Sequence, residues 1–488
     1  MLSFLLGIGV LIIGGALYGR FCEKVMKPSD RKTPAVENYD GVDYVPMKKW
    51  KNSLIELLNI AGTGPILGPI QGILFGPIAF ITIPIGCVIG GAFHDYMSGM
   101  ISVRNGGEQM PSLVRRFLGK YVYTVYNVFV CLLLLLLGVV FIYTPGDIFI
   151  TQIIGQKSTL ENPVIWIVYG VIFAYYIIAA LLPIDKIIGR IYPIFGAILL
   201  LSAVGVCAGL FIKGYRLDEI WTGVSFTNPY GEHFIPIFFV TVACGIVSGF
   251  HSTQATLVSR TIADEREGRT TFYSMMILEG FIAMVWAAAA MGAVNAGLLT
   301  NDILHTQPTT AVGVIAKDML GGVGGVIAII GVIVLPVTSG DTALRSLRII
   351  IAEAFHIDTQ KKKKNLLLAL VIFTVVAGIL IYAKADTDGF NVLWRYFSWA
   401  NESTAVFAFS MICIYMMRNK MPYIMALIPG MFYMYVVASY ILNARIGFNL
   451  PWTASYIIAG IVTLAYGSAI VFCGKKAKQC SPAERNGG

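Results

Sequence analysis

The stretch Ala61-Gly62-Thr63-Gly64-Pro65-Ile66-Leu67-Gly68-Pro69 interrupts an apolar run from about Leu54 to Phe80. It cannot stay a regular α-helix. The prolines remove backbone donors and clash with the preceding turn, and the glycines carry the largest backbone entropy cost. In hydrocarbon a broken helix leaves amides and carbonyls without partners, at several kcal/mol each, so it survives only where protein packs it or a wet cavity lines it. A second interruption, Ala243-Cys244-Gly245-Ile246-Val247-Ser248-Gly249-Phe250-His251, follows roughly 185 residues later, the arrangement of a two-repeat transporter. The two breaks are expected to wall one substrate site.

Composition supports a membrane setting. The 488 residues are 57% hydrophobic and 13% charged, with a mean hydropathy of +0.74, and apolar stretches of spanning length recur from end to end. The opening segment, Leu2 to Leu17, lacks a basic n-region and a clear cleavage site, so it reads as a retained helix. The net charge of +9 is a topology signal, not a nucleic-acid footprint. Twenty-nine of the 36 lysines and arginines fall in one alternating set of loops and only six in the other, with Arg395 inside a span. The eight cysteines are scattered without a C-x-x-C, so neither a disulfide framework nor a zinc site is indicated.

Thirteen spans are predicted, near 2–22, 54–77, 79–101, 121–143, 163–183, 191–212, 235–258, 271–297, 323–344, 365–383, 391–416, 422–442 and 452–473. With the basic loops inside, the N-terminus is expected outside and the C-terminus in the cytoplasm; residues 298–322 suit a short helix at the outer surface. The expected division is 1–53 (first helix and basic linker), 54–234 (five-helix repeat), 235–416 (second five-helix repeat) and 417–488 (two helices and basic tail). The breaks open the two repeats. Thr144-Pro145-Gly146-Asp147 in one third helix matches Thr338-Ser339-Gly340-Asp341 in the other. A five-helix repeat is odd, so its copy must be inverted.

Carbonyls around Ala61 to Thr63 can coordinate a cation, and a half-helix N-terminus can receive an anion. Thr63 and Gln71 add neutral hydrogen-bonding groups. Gly62-x-Gly64-x-x-x-Gly68 has the look of a dinucleotide loop, but no strand precedes it and no βαβ unit can surround it. His94 and Asp95 lie inside the third span, where a carboxylate needs a cavity or a partner, and where His94 can help move a proton. The alternative is a pair that locks helices together. His251 follows the second break and can bind a carboxylate or donate to a freed carbonyl; Ser248 sits beside it. The substrate-binding candidates are thus Gly62, Thr63, Gly64, Gln71, His94, Asp95, Gly245, Ser248, Gly249 and His251. Thr338, Ser339 and Asp341, with the Ala61 carbonyl, offer hard oxygen ligands to a sodium ion; the competing reading pairs Asp341 with Arg345. Arg395 and Glu402, two turns apart, suit a buried ion pair, and Glu279 is a further acid within a span.

The residues resemble a known family. Asp40-Gly41-Val42-Asp43-Tyr44-Val45-Pro46, Lys49-Trp50 and the Ala61–Pro69 break resemble the opening signature of the carbon starvation protein A family. His94-Asp95, Ala243 through His251, Asp341-Thr342-Ala343-x-Arg345 and Leu393-Trp394 through Asn401 are similar to its later elements. Thr63 departs from a usual Ala, and Ala400-Asn401-Glu402 from a Ser-Asn-Gln-like triplet. The resemblance, to a compact branch, implies the amino acid–polyamine–cation superfamily: an all-α polytopic protein with a five-plus-five inverted-repeat core of leucine-transporter type, one extra N-terminal helix and two C-terminal ones. It also implies a bacterial or archaeal plasma membrane and uptake of peptides or pyruvate.

The expected function is a secondary importer of a short peptide or pyruvate-like carboxylate, coupled to Na+ or H+, with no other cofactor, no nucleic acid and no nucleotide-binding subunit. A transporter-like sensor is the alternative. An enzyme is disfavoured, since neither a nucleophile–base pair nor a metal motif such as H-E-x-x-H stands in the sequence.

Overall fold

The computed structural model describes residues 1–41, 43–181, 185–357 and 362–479. Among them the chain is helical, with only two isolated β-bridges. The helices are α1 (Leu2–Met26), α2 (Lys49–Ile60), α3 (Gly64–Gly72), α4 (the continuous segments Ala79–Gly86, Cys87–Gly91 and Ala92–Arg104), α5 (Met110–Leu118), α6 (Lys120–Ile148), α7 (Pro163–Leu181) and α8 (Asp185–Ile212). They continue as α9 (Phe239–Ile246), α10 (Gly249–Val258), α11 (Ser274–Asn295), α12 (Asn301–Thr306), α13 (Pro308–Ala354), α14 (Lys362–Ala385), α15 (Gly389–Arg418), α16 (Ile424–Asn443) and α17 (Trp452–Gln479). With α2/α3 and α9/α10 each counted as one interrupted pass, and α5 and α12 as surface helices, the described residues make thirteen passes. The expected stretch 298–322 holds α12 and the start of α13, which kinks at Gly321 (φ 73°) before its membrane pass. Helix α8 begins at Asp185, six residues ahead of the expected span, so Lys186 and Arg190 belong to a helix rather than a loop.

Both sequence breaks are breaks in the structure. Pro65 has no N–H to offer the Ala61 carbonyl, and α2 ends at Ile60 with Ala61 at φ −81°, ψ 66°. In the second interruption Val247 and Ser248 are fully extended (φ −147° and −136°) between α9 and α10. The two interrupted passes run in opposite directions. Met47, before α2, bridges to Ile262, after α10. At the other end Gln71, on the last turn of α3, donates to the His305 carbonyl (3.0 Å) and to Asn391 (2.7 Å), beside the loop that leads into α9. The core is therefore the five-plus-five inverted arrangement, with α1 outside it and α16 and α17 appended.

Glycine sets how closely the halves approach. Gly64, Gly68 and Gly72 recur every fourth residue and so share one face of α3. A Cβ on Gly64 would lie 2.4 Å from the Cys244 Cβ, one on Gly68 2.6 Å from the Thr241 carbonyl oxygen, and one on Gly72 2.5 Å from Val242. This small-residue seam lets two backbones touch where lipid supplies no hydrophobic drive for helix association. Gly64 and Gly68, two of the three glycines that hint at a nucleotide loop, belong to a helix-packing face.

A polar brace closes the end of the molecule near Gln71. Glu232 is paired with Arg395 at 2.6 Å and accepts from Asn228 at 2.7 Å, while the His305 ring stacks on Tyr230 at 4.0 Å. Arg395 therefore does not pair with Glu402, as the two-turn spacing suggests. Its long side chain reaches back to the loop ahead of α9, where a more accessible carboxylate waits. Burial alone would push the Glu232 carboxyl up, but the His305 ring 3.9 Å away and the bonds from Arg395 and Asn228 outweigh it and hold it at about 2. The opposite, basic end is closed by Glu265, which pairs with Arg31 (3.0 Å) and Arg104 (3.2 Å).

Two outcomes follow. Replacing Gly68 by Ala forces backbone apart and lowers stability by about 1–3 kcal/mol, whereas Gly378→Ala, with no atom within 4 Å of the added methyl, leaves it unchanged or slightly raised; the melting midpoint of the detergent-solubilised protein reads both. Because its carboxyl is depressed in the folded state, Glu232 stabilises fully above its unfolded value near 4.5, and the gain fades as pH falls towards 2. Wild type should thus lose more midpoint between pH 5 and pH 3 than Glu232→Gln; parallel curves for the two would contradict the brace.

Candidate functional site: two interrupted helices and a buried acid–imidazole chain

Helix α4 carries His94 and Asp95, α10 carries His251 and α11 carries Glu279, and their side chains are buried within the bundle. Asp95 lies between the two imidazoles. His94 Nδ1 is 2.8 Å from one carboxylate oxygen and His251 Nδ1 3.1 Å from the other. A carboxylate here accepts from both Nδ1–H groups, which leaves a lone pair on each Nε2. His251 Nε2 faces Glu279 at 3.5 Å, so one proton suffices to join this pair. Glu56 on α2 is equally buried, and neither of its oxygens has a hydrogen-bond partner in the protein; it sits close enough to interact electrostatically with Asp95 and Glu279. A carboxylate in this setting needs a compensating proton or cation. The chain Asp95–His251–Glu279, with Glu56 nearby, thus gathers three buried acids around one imidazole and ties α4, α10 and α11 together.

The second break is held by α15. The Asn401 side-chain oxygen accepts from the Phe250 backbone N–H at 2.8 Å, and its amide donates to Ser248 Oγ at 2.9 Å. Thus a side chain from another helix caps the start of α10, supplying a partner for backbone that hydrocarbon cannot solvate. Gly249 allows this approach: a Cβ there would stand 1.9 Å from Thr404 Oγ1 and 2.4 Å from the Asn401 carbonyl oxygen. At the first break Thr63 is buried and its hydroxyl has no protein partner; Thr241 Oγ1, across the seam on α9, is also without one. Two buried hydroxyls near the crossing therefore have no hydrogen-bond partner within the protein.

The structure brings most of the candidates together. Thr63 and Gly64 meet α9 near Cys244; Gly245 faces Ala283 and Pro69; Ser248 and His251 follow at once, and His251 joins Asp95 and His94. Gly62 borders the ring of Phe141, which lies 3.5 Å from the position of a Cβ there. Gly249 is a packing residue against α15, with no room beside it. Gln71 is not at the breaks: it lies about two turns along α3, in the polar brace. Of the sodium candidates, the side chains of Thr338 and Asp341 lie outside the described residues. Their neighbour Gly340 packs on Tyr176 and Phe141, so Phe141 stands between this part of α13 and the first break that holds Ala61.

Glu56, and the link from Glu279 to His251, escaped the sequence reading. Glu56 lies in Leu54-Ile55-Glu56-Leu57-Leu58, and an acid inside an apolar span is itself a functional signal. Glu402 is also wholly buried without a hydrogen-bond partner in the protein, near Cys244 and Tyr433. Among the described residues no three His, Cys, Asp or Glu side chains converge as metal ligands.

Comparison with known proteins agrees with this architecture. The family described as carbon starvation protein CstA matches residues 1–170 and 139–315. A membrane protein of Haemophilus influenzae, whose function is uncharacterised, is 43% identical over 337 residues, covering 60% of this chain and 91% of that one. The Escherichia coli pyruvate/proton symporter BtsT is 25% identical over 344 residues (58% of this chain, 48% of the relative), and the peptide transporter CstA of Helicobacter pylori 25% over 350 residues (59% and 50%). The chain thus spans about half the length of these two transporters. Among solved structures, the Eremococcus coleocola manganese transporter superposes with a TM-score of 0.58 at 11% identity, covering 91% of this chain and 98% of that one. A Na+-coupled sialic acid symporter does so with 0.50 at 15% identity, covering 100% and 99%. At such identities the likeness concerns the fold alone, which is of the leucine-transporter type. With the family's match reaching from Met1 to residue 315 and a 43% identical relative alongside, this multi-pass membrane protein belongs to the carbon starvation protein CstA family.

Proposed function

We propose that the protein is a proton-coupled importer of a small carboxylate, pyruvate-like or a short peptide, working by alternating access in a bacterial plasma membrane. The observation that carries this reading is the junction at α10. One end of that half-helix is the second break, capped by Asn401, and His251 on its first turn contacts Asp95 and faces Glu279. A change in the number of protons on this chain alters the attraction that holds α10 to α4 and α11, and so biases the position of a mobile half-helix. The solute's carboxylate is placed at the start of α3, on Thr63 Oγ1 and the adjacent helix terminus, where backbone dipoles favour an anion.

The names of relatives point the same way: one is a pyruvate/proton symporter and several are peptide transporters. A zwitterionic peptide needs a further acceptor for its ammonium group, and Glu402 or Asp95 supplies one. The charge distribution favours an N-terminus outside and a C-terminus in the cytoplasm. The competing coupling site is sodium at Ala61, Thr338, Ser339 and Asp341.

Proteoliposomes separate these readings. Labelled pyruvate and a labelled dipeptide are each offered with a pH gradient alone, then with a sodium gradient alone. The expected result is accumulation of one of them on the pH gradient, reduced roughly 100-fold in Asp95→Asn, the low end for loss of a proton-transfer group, while exchange of labelled for unlabelled solute persists. Accumulation on sodium alone would move the coupling to the Ala61 and Asp341 region. Binding without exchange would make the protein a sensor.

A further inference from the structure

A cleft of about 770 Å³ opens on the flank of the molecule between α6, α15, α16 and α17, away from the crossing of the two breaks. Its walls are apolar: Phe129 from α6, Trp399 and Val406 from α15, Val437 from α16 and Ile470 from α17. The few polar groups in the wall are already satisfied. Trp399 Nε1 donates to the Val437 carbonyl (2.9 Å), Ser403 Oγ to the Trp399 carbonyl (2.8 Å) and Ser410 Oγ to the Val406 carbonyl (2.7 Å). Such a wall has little to bond a polar solute and suits hydrocarbon.

The chemistry changes at one end. Arg418 and Lys476, at the C-terminal ends of α15 and α17, line the mouth on the basic face, and the Arg418 guanidinium stands 5.2 Å above the ring of Phe117 on α5. Helix α5 places Arg115 and Arg116 next to Phe117 in the sequence, as in a helix lying along the membrane surface. From Trp399 to Arg418 the helix rises about 28 Å, nearly the whole hydrocarbon thickness of about 30 Å. The cleft therefore has length for an entire acyl chain of one leaflet, with two cations at headgroup level.

We infer that this cleft is a binding site for one anionic phospholipid, its acyl chain laid along Phe129, Val406 and Val437 and its phosphate between Arg418 and Lys476. The lipid would brace the same helix, α15, whose Asn401 caps the second break. This assignment is independent of which solute is carried.

Native mass spectrometry of the full-length protein in detergent tests it, with phosphatidylglycerol and phosphatidylcholine of identical chains as probes. At about fivefold per basic residue near a headgroup, wild type should hold one phosphatidylglycerol roughly 25-fold more tightly than phosphatidylcholine. The double variant Arg418→Gln/Lys476→Gln should bring the two within about twofold while leaving phosphatidylcholine binding unchanged. Ala469→Trp, which fills the cleft from α17, should remove both. Equal affinity in wild type would show an ordinary annular surface and overturn the proposal, as would an undiminished preference in the double variant. A lipid-free dimer that Ala469→Trp dissociates would overturn it too, by assigning the cleft to a second copy of the chain.

Discussion

A helix interrupted inside a bilayer must find partners for the backbone it frees, and here one side chain, Asn401, does so for the second interruption. It takes the Phe250 N–H and binds Ser248 Oγ, from a helix that Gly249 allows to come within backbone contact. Without such a partner each exposed amide would cost several kcal/mol in hydrocarbon. The extended Val247 and Ser248 are therefore a feature the surrounding helices hold in place, and the geometry of α9, α10, α11 and α15 is arranged around them.

The first interruption is held differently. It relies on proline to free the Ala61 carbonyl and on the Gly64, Gly68 and Gly72 face to seat α3 against α9. One break is thus fixed by a polar staple and the other by close backbone packing, and they cross where Thr63 and Thr241 leave hydroxyls unpartnered. The buried acids sit to one side of this crossing, joined to it through His251. The same short half-helix, α10, thus carries both the end of the break and the imidazole that contacts the acids.

Much of this was legible in the sequence. The Pro and Gly content of residues 61–69 and the Gly-Ile-Val-Ser-Gly run at 245–249 announced the breaks, because no continuous helix tolerates the first and the second matched it at repeat distance. The odd number of helices per repeat required inversion, and the ends of α2/α3 and α9/α10 meet accordingly. What could not be read was which distant groups pair. Arg395 pairs with Glu232, 163 residues away, and a helical-face argument offered only Glu402. Gln71 lay close to the break in sequence, yet two turns of helix carry it into the brace at the end of the molecule. Glu56 was missed although its apolar neighbours mark it. The stretch 61–69 reads as one break, whereas only its start is broken: from Gly64 onward Gly64, Gly68 and Gly72 form a packing face against α9.

The proposed function puts the solute at the crossing of the two interrupted helices. Cys244 offers a direct probe, since its sulfur lies 2.5 Å from where a Gly64 Cβ would be. In a chain whose other cysteines are replaced by serine or alanine, the rate at which a small membrane-permeant maleimide alkylates Cys244 can be measured with and without the transported solute. Slowing of that reaction by saturating solute, reversed on its removal, is the result predicted here. A Cys244 alkylation rate indifferent to solute, under conditions where uptake is saturated, would place the solute elsewhere and contradict the account.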